Sequence, residues 1–301
     1  MNRYPWAGLL LGLCMMAPVH AKPTCVLDDT QAPVCVAQAA HRVLSLSPHL
    51  TESVAFVHGL NAVVAVDSSS DYPSDVNRLP KLGAPWLLGS ETVLAQKPDL
   101  VLVWNSGINP AVVERLRALK VPVYVSEPKT LGEVASTLRR LSSLLGTERQ
   151  SEGAIHAWES GIQQQRTQHQ GLAVVPVFYQ VWPKPLMTLG GSHVVSEILS
   201  LCGGRNVFED QPGLAFQVSA EAVLARKPGL VLASGDDTRE RALIHQWSMW
   251  STLPAVRNGW VQSFPKDILV RNGPRLLEAT QRMCALLNRV RQGPAPGRPA
   301  P

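Results

Sequence analysis

Short runs of apolar residues alternate along this chain with stretches in which apolar positions recur every three or four residues. That alternation predicts β-strands separated by helices. Residues 42–47 form the first such run and read as a strand. Pro48 to Glu52 opens a helix, with Ser47 or Thr51 placed to cap it, and the helix ends near Gly59. Residues 62–66 give the next strand and 67–72 a polar loop; a short helix and the strand 100–104 follow, then a helix over 112–119 and a strand over 121–125. Strands alternating with helices predict a parallel α/β sheet. From 131 to about 169 proline is absent, glycine is sparse, and charged residues and Gln mix with Leu, Ile and Trp158. This predicts helix throughout, broken near Gly146-Thr147, and the second piece spans on the order of 30 Å at 1.5 Å per residue. Strands resume at 174–181, a helix covers 194–201, and a last helix runs over 274–291.

One stretch of this pattern occurs twice. Glu91-Thr-Val-Leu-Ala-Gln-Lys-Pro-Asp-Leu-Val-Leu102 returns as Glu221-Ala-Val-Leu-Ala-Arg-Lys-Pro-Gly-Leu-Val-Leu232, with nine of twelve positions identical. Each copy reads as a short helix opened by an acidic residue, a Lys-Pro break and a buried strand. The copies stand 130 residues apart, too far for a stacked repeat of about 20–50 residues. Two related lobes account for them, and a cleft between lobes is where small ligands usually bind.

Composition narrows the class. The 301 residues suit two domains, and 45% hydrophobic with 17% charged residues suits a globular chain. The net charge of +5 would suit an anionic partner, but no Lys/Arg block and no nucleic-acid motif accompany it, so it reads as a diffusely basic surface. The N-terminus has a basic start, an apolar core over 7–16 and small residues ending at Ala21. This reads as a secretory signal cut near Ala21, too short to span a membrane. Leu13 is too bulky for the residue preceding a lipidated Cys14. Removal of the signal leaves Cys25, Cys35, Cys202 and Cys284. In an exported protein that even number reads as two disulfides, locally Cys25–Cys35 and then Cys202–Cys284; a zinc site is the rival, without the close Cys-x-x-Cys spacing it favours.

Several motifs in order, Leu44-Ser-Leu-Ser-Pro-His-Leu-Thr-Glu52, Ser70-Asp-Tyr-Pro73, the two Glu/Lys-Pro units, Leu201-Cys-Gly-Gly204 and Asn206-Val-Phe208, carry a resemblance over about residues 40 to 291. The chain resembles the periplasmic substrate-binding proteins of ABC importers for vitamin B12, siderophores and haem, and within that group its cobalamin-binding members. The resemblance implies two Rossmann-like α/β lobes with parallel sheets, joined by a single long rigid helix. The organisation expected is a signal peptide (1–21), an N-terminal extension (22–40), an N-terminal lobe (41–146), a connecting helix (147–170), a C-terminal lobe (171–292) and a disordered Pro/Gly-rich tail (293–301). It also implies a monomeric, non-catalytic periplasmic carrier of cobalamin or a related corrinoid, with no resident cofactor and an ABC permease as partner. The same Cys202–Cys284 pairing is implied, whereas Cys25 and Cys35 lie outside the resemblance. Haem or an iron–siderophore is the alternative cargo, and a secreted hydrolase the alternative class.

For the cleft the resemblance implies Tyr72, Trp86, Trp104 and Phe216, the last replacing a tryptophan of the family pattern, with Trp182 and Pro185 near a further contact loop. All four aromatics stand in or beside turns at strand ends, where open α/β sheets bind ligands; packing within each lobe is the plainer alternative. Asp267 and Arg271 are implied to meet the corrin amides, although their four-residue spacing equally allows a structural ion pair. Glu91 and Glu221 are implied to dock on permease arginines, one per lobe, where their alternative role is to complement a helix dipole. His49 lies before a helix and could approach a bound cobalt; capping or solvent exposure is the plainer expectation. No HxH or HExxH spacing, no phosphate loop and no paired catalytic carboxylates occur, and Gly190-Gly-Ser-His193 lacks the second glycine of a nucleophile elbow.

Overall fold

The computed structural model describes residues 23–295. The expected signal segment with its cleavage point and Cys14, and residues 296–301 of the expected tail, lie outside the described residues. The chain begins with an antiparallel hairpin, β1 (Thr24–Leu27) and β2 (Pro33–Val36). The N-terminal half then runs β3 (Val43–Leu46), α1 (Pro48–Phe56), β4 (Val63–Val66), α2 (Ser90–Leu94), β5 (Leu100–Trp104), α3 (Pro110–Ala118) and β6 (Val123–Ser126). Its sheet has the order β4-β3-β5-β6, and every pair is parallel. The strands are continuous apolar runs because both faces are covered. Val43, Leu100, Leu102 and Tyr124 face one core cluster; Leu44, Leu46, Val101 and Val103 face the other.

Two helices follow, α4 (Leu131–Leu145) and α5 (Glu148–His169), broken where the sequence pattern predicts. Gly146 ends α4 at φ +66°, a left-handed conformation that glycine adopts at no steric cost. The 22 residues of α5 span about 33 Å. Its Ile155 packs in the core of the N-terminal half, while Trp158 and Ile162 pack in that of the C-terminal half. Beside it, α4 also reaches both: Leu138 and Leu141 join the first core, Leu131 and Val134 the second.

The C-terminal half contains β7 (Val175–Pro183), β8 (Leu186–Leu189), α6 (Val194–Leu201), β9 (Gly204–Asn206), β10 (Ala215–Gln217), α7 (Ala220–Ala225), β11 (Leu230–Ser234), α8 (Asp237–Ser248), α9 (Pro254–Arg257), β12 (Val261–Phe264), α10 (Lys266–Leu269) and α11 (Leu276–Gln292). Four strands, β9-β7-β11-β12, pair in parallel and repeat the order of the first sheet. Beyond these four parallel strands the sheet carries two more. The sheet is mixed, because β8 turns back antiparallel on the far half of β7 and β10 pairs antiparallel with β8. The two residues between β7 and β8 leave room only for a hairpin, and a hairpin is necessarily antiparallel.

The twelve-residue repeat occupies the same place in both sheets, as α2–β5 and α7–β11. Its copies fold alike in detail. Val93 and Val223 are both fully buried, and Lys97 and Lys227 both adopt φ +49°. In each copy that lysine's N–H closes the turn, onto Leu94 O and Leu224 O respectively.

Both expected disulfides are present. Cys25–Cys35 joins directly opposed residues of the hairpin, and Cys202–Cys284 ties the end of α6 to α11 across 82 residues. Replacing Cys202 and Cys284 together by Ala is expected to lower unfolding free energy by about 2–5 kcal/mol. Urea melts of the oxidised protein and the double variant measure this, and a difference below about 1 kcal/mol would show that packing alone holds α6 on α11.

Candidate functional site

The C-terminal ends of the parallel strands in both halves turn toward the boundary between them, the usual binding edge of open α/β sheets. A cavity of about 300 Å³ lies there. Trp86, Trp104, His49 and Asp67 line it from the N-terminal half, and Asp267 and Arg271 from the C-terminal half. A second cavity of about 390 Å³ shares Trp104, Pro128, Val270 and Asn272 with it and continues along the boundary past Tyr179 and His193. Together they form one cleft between the halves.

Two of the four expected aromatics are gathered here. Trp86 stands in a one-turn helix after Pro85 and is 64% exposed. Trp104 ends β5 and is 41% exposed. Its indole N–H donates to Glu127 Oε1 at 3.0 Å. Its ring lies so close to Gly107 that any side chain at that position would collide with it. Tryptophans exposed to this extent leave ring surface available to a ligand.

The other two line other pockets. Tyr72 lines a separate groove, where the Arg275 guanidinium lies 4.3 Å over its ring. Phe216 is turned from the cleft in β10 and meets Phe208 edge-on at 6.0 Å, while its neighbours Leu214 and Ala215 line the second cavity. Trp182 and Pro185, at the β7–β8 turn, line neither cavity.

Arg271 is expected to choose between the cleft and an ion pair with Asp267. It lines the cleft, but its charge is already answered. Nη1 donates to Glu52 Oε1 at 2.8 Å and to Asp71 Oδ1 at 2.6 Å, with Asp267 more distant at 3.5 Å. Burial disfavours the charge on Arg271, yet the Asp71 and Glu52 carboxylates outweigh burial and raise its pKa above the ordinary arginine value. The hydrogen bond from Arg271 correspondingly holds the Asp71 carboxyl below its usual range. Arg275 binds the same Glu52 through Nε at 2.8 Å and Nη2 at 2.6 Å. Asp267 remains half exposed beside the cavity.

His49 neither caps nor faces solvent, which corrects the plainer expectation for it. It is buried, with Nδ1 2.7 Å from Ser47 Oγ and Nε2 3.1 Å from Ser126 Oγ. Burial pushes its pKa down to about 3, so the ring is neutral. Ser47 is thereby engaged and makes no side-chain cap to α1.

Glu91 and Glu221 are both exposed, one in the first turn of α2 and one in that of α7, and neither lines the cleft. Backbone N–H at the start of α7 and the Ser219 hydroxyl hold the Glu221 carboxyl below its usual range.

Two cleft residues escaped the sequence reading. Glu127 follows β6 and binds Trp104 together with Ser106 N (3.0 Å) and Ser106 Oγ (2.7 Å). His193 caps α6: its Nδ1 accepts from Val195 N at 3.1 Å, and burial lowers its pKa to about 4. The neutral ring must then carry its proton on Nε2 as a donor. Trp104 is the last residue of a predicted strand; Glu127 stands two residues past another, and His193 directly precedes a predicted helix. Among the described residues no cluster of three or more His, Cys, Asp or Glu is placed to hold a metal.

The family model described as "Periplasmic binding protein" matches residues 43–268. The chain is 36% identical over 252 residues to the vitamin B12-binding protein of Vibrio cholerae, covering 82% of this chain and 89% of that one. It is 33% identical over 249 residues to the vitamin B12-binding protein of Yersinia pestis, covering 82% and 86%. Among solved structures, the periplasmic vitamin B12 binding protein of Vibrio cholerae superposes with a TM-score of 0.77 at 34% identity, covering 84% of this chain and 98% of that one. A periplasmic heme-binding protein of Pseudomonas aeruginosa gives 0.72 at 25% identity, covering 82% and 92%.

Proposed function

The chain belongs to the periplasmic binding protein family, a family of substrate carriers and not of enzymes, and from that membership we propose that it captures cobalamin or a related corrinoid in the cleft and hands it to an ABC importer in the inner membrane. The observation that carries the cargo reading is the pair Trp86 and Trp104, two exposed rings on one side of a cleft in which Arg271 is already met by Glu52 and Asp71. A corrinoid is a wide, mostly apolar plate rimmed with neutral amides. Indole faces suit the plate, and half-exposed Asp267 and the His193 Nε2–H suit amide edges. Haem-binding relatives of the same fold keep haem as the second reading. It is disfavoured because both nitrogens of His49 are engaged by serines, and the Nε2 of His193 carries that ring's proton. An anionic siderophore is less well served, because Arg271 is already met by Glu52, Asp71 and Asp267, which leaves Lys129 and Lys266 as the cations lining the cleft.

Export after cleavage near Ala21 and docking through Glu91 and Glu221 complete the proposal. Calorimetry with cyanocobalamin, haem and a ferric siderophore tests the cargo. One-to-one binding of cyanocobalamin at micromolar concentration or tighter is expected, with quenching of tryptophan fluorescence. No heat with cyanocobalamin alongside tight haem binding would transfer the reading to haem. Trp86→Ala is expected to weaken cyanocobalamin by about 1–3 kcal/mol, the usual cost of truncating a desolvated aromatic contact. Unchanged affinity with a lower melting temperature would place Trp86 in packing instead.

A further inference from the structure

The N-terminal hairpin has no part in the functional reading so far, yet it reaches the cleft through two residues. Its tip lies against β6, the edge strand of the first sheet, and Asp29 N donates to Val125 O at 3.0 Å. Asp28 is completely buried there. Its Oδ1 accepts from Thr30 N and Oγ1 and from Ala32 N, and its Oδ2 from Arg117 Nη2 at 2.6 Å and Val125 N at 3.2 Å. Val34 and Val36 pack in the same core as Leu138 and Leu141 of α4, and Cys25–Cys35 closes the hairpin. These contacts suffice to cover an edge strand.

Asp29 does something that edge covering does not require. Its Oδ1 is held by Arg140 Nη2 at 2.6 Å, and its Oδ2 accepts from the backbone N–H of Glu127, also at 2.6 Å. Glu127 is thus gripped by the hairpin at its backbone, while its carboxylate turns away toward the cleft. There it accepts from the Trp104 indole and from Ser106, as described above. The indole has a single polar group, which can only donate. A carboxylate acceptor makes that bond charge-assisted and fixes the ring's rotation at a strand end where half of it is exposed.

We propose that the disulfide-closed hairpin is a positioning element for the cargo site: Asp29 sets the Glu127 backbone, and the Glu127 carboxylate holds the Trp104 indole in the orientation that meets the corrinoid. Asp29 and Glu127 are positioning residues, and the proposal rests on the reading of Trp104 as a cargo-facing ring.

The test uses the full chain, oxidised and labelled with ¹⁵N, and has two readouts. The first is the Trp104 indole N–H resonance in the ligand-free protein, identified by its loss in Trp104→Ala. The second is cyanocobalamin affinity by calorimetry. Asp29→Ala and Glu127→Ala are each expected to shift that resonance and to weaken binding about tenfold, with Glu127→Gln between them and the parent because its carboxamide oxygen keeps one acceptor. In a Trp104→Ala background, neither substitution is expected to weaken binding further. An unmoved indole resonance in Glu127→Ala or in folded Asp29→Ala overturns the proposal, as does an equal loss of affinity in the Trp104→Ala background. Should Asp29→Ala not fold, Asp29→Asn, whose neutral amide is a weaker acceptor for the Glu127 N–H, takes its place, and an unmoved indole resonance there overturns the proposal. If Trp104→Ala itself binds cyanocobalamin normally while the resonance shifts as expected, the cargo role of Trp104 fails and with it the proposed purpose of the relay, whereas the hairpin-to-indole coupling stands.

Discussion

Reversing two charges together, Glu91→Lys with Glu221→Lys, is expected to abolish corrinoid uptake while leaving corrinoid affinity unchanged. The two carboxylates open the equivalent helices α2 and α7, both exposed and both outside the cleft lining. A permease with two-fold symmetry offers two equivalent basic sites, and a carrier whose halves repeat one helix–turn–strand unit can meet both at once. Reversal converts two favourable ion pairs into two like-charge contacts, each costing up to several kcal/mol at an interface. Folding should hardly register the change, since charge at a short exposed helix start is worth about 0.3–1 kcal/mol. The pair of measurements is calorimetry with cyanocobalamin and uptake into vesicles containing the cognate permease. Normal uptake by the double variant would reduce the carboxylates to helix-dipole partners. Loss of cyanocobalamin binding would put them in the site instead.

The second large effect concerns stability. Glu52→Ala is expected to cost about 3–5 kcal/mol, the usual penalty for breaking a buried ion pair from one side. The Glu52 side chain is 1% exposed and is the common acceptor for Arg271 and Arg275, whose side chains are 13% and 15% exposed. Glu52 belongs to α1 of the N-terminal half, and both arginines lie in the segment between α10 and α11 of the other half. The bonds span 219 and 223 residues of sequence. Without the carboxylate, Arg275 keeps, among the described residues, Asp267 O at 3.3 Å and the Tyr72 ring, and Arg271 keeps two half-exposed aspartates and Ser69 O at 3.5 Å. At roughly 2–4 °C per kcal/mol for a chain of this size, the melting temperature should fall by on the order of 10 °C. A double-mutant cycle of Glu52→Ala with Arg275→Ala should show a coupling above about 1 kcal/mol. A loss below about 0.5 kcal/mol, the range of exposed pairs, would mean that the halves are held together by α4 and α5 alone. Because this lock and the long helix α5 both join the halves, the separation of Glu91 and Glu221 should change little when cargo binds.

Local pattern alone determined much of this molecule. Apolar runs and helical periodicity are set within a few residues by backbone dihedrals and by which face is buried, so β5, α6 and the α4–α5 break at Gly146 fall where the sequence puts them. The repeat determined even a backbone detail, because identical Lys-Pro turns drive Lys97 and Lys227 to the same φ. Trp86 and Trp104 were expected in the cleft from the family resemblance and from their places at turns, a signal that Tyr72 and Phe216 shared. What tertiary structure decided was every interaction whose partner lies far along the chain. Spacing pointed Arg271 to Asp267, the most distant of its three carboxylates at 3.5 Å, whereas Glu52 and Asp71 have no local signature. Neither the Arg275 guanidinium over the Tyr72 ring nor the β10–β8 pairing that sets Phe216 against Phe208 has a signal within a few residues of sequence. His49 lost its exposure to serines at the ends of two different strands. The reason is physical: propensity and periodicity act over one turn or one strand, while burial and charge pairing depend on which surfaces the closed fold brings within hydrogen-bonding distance.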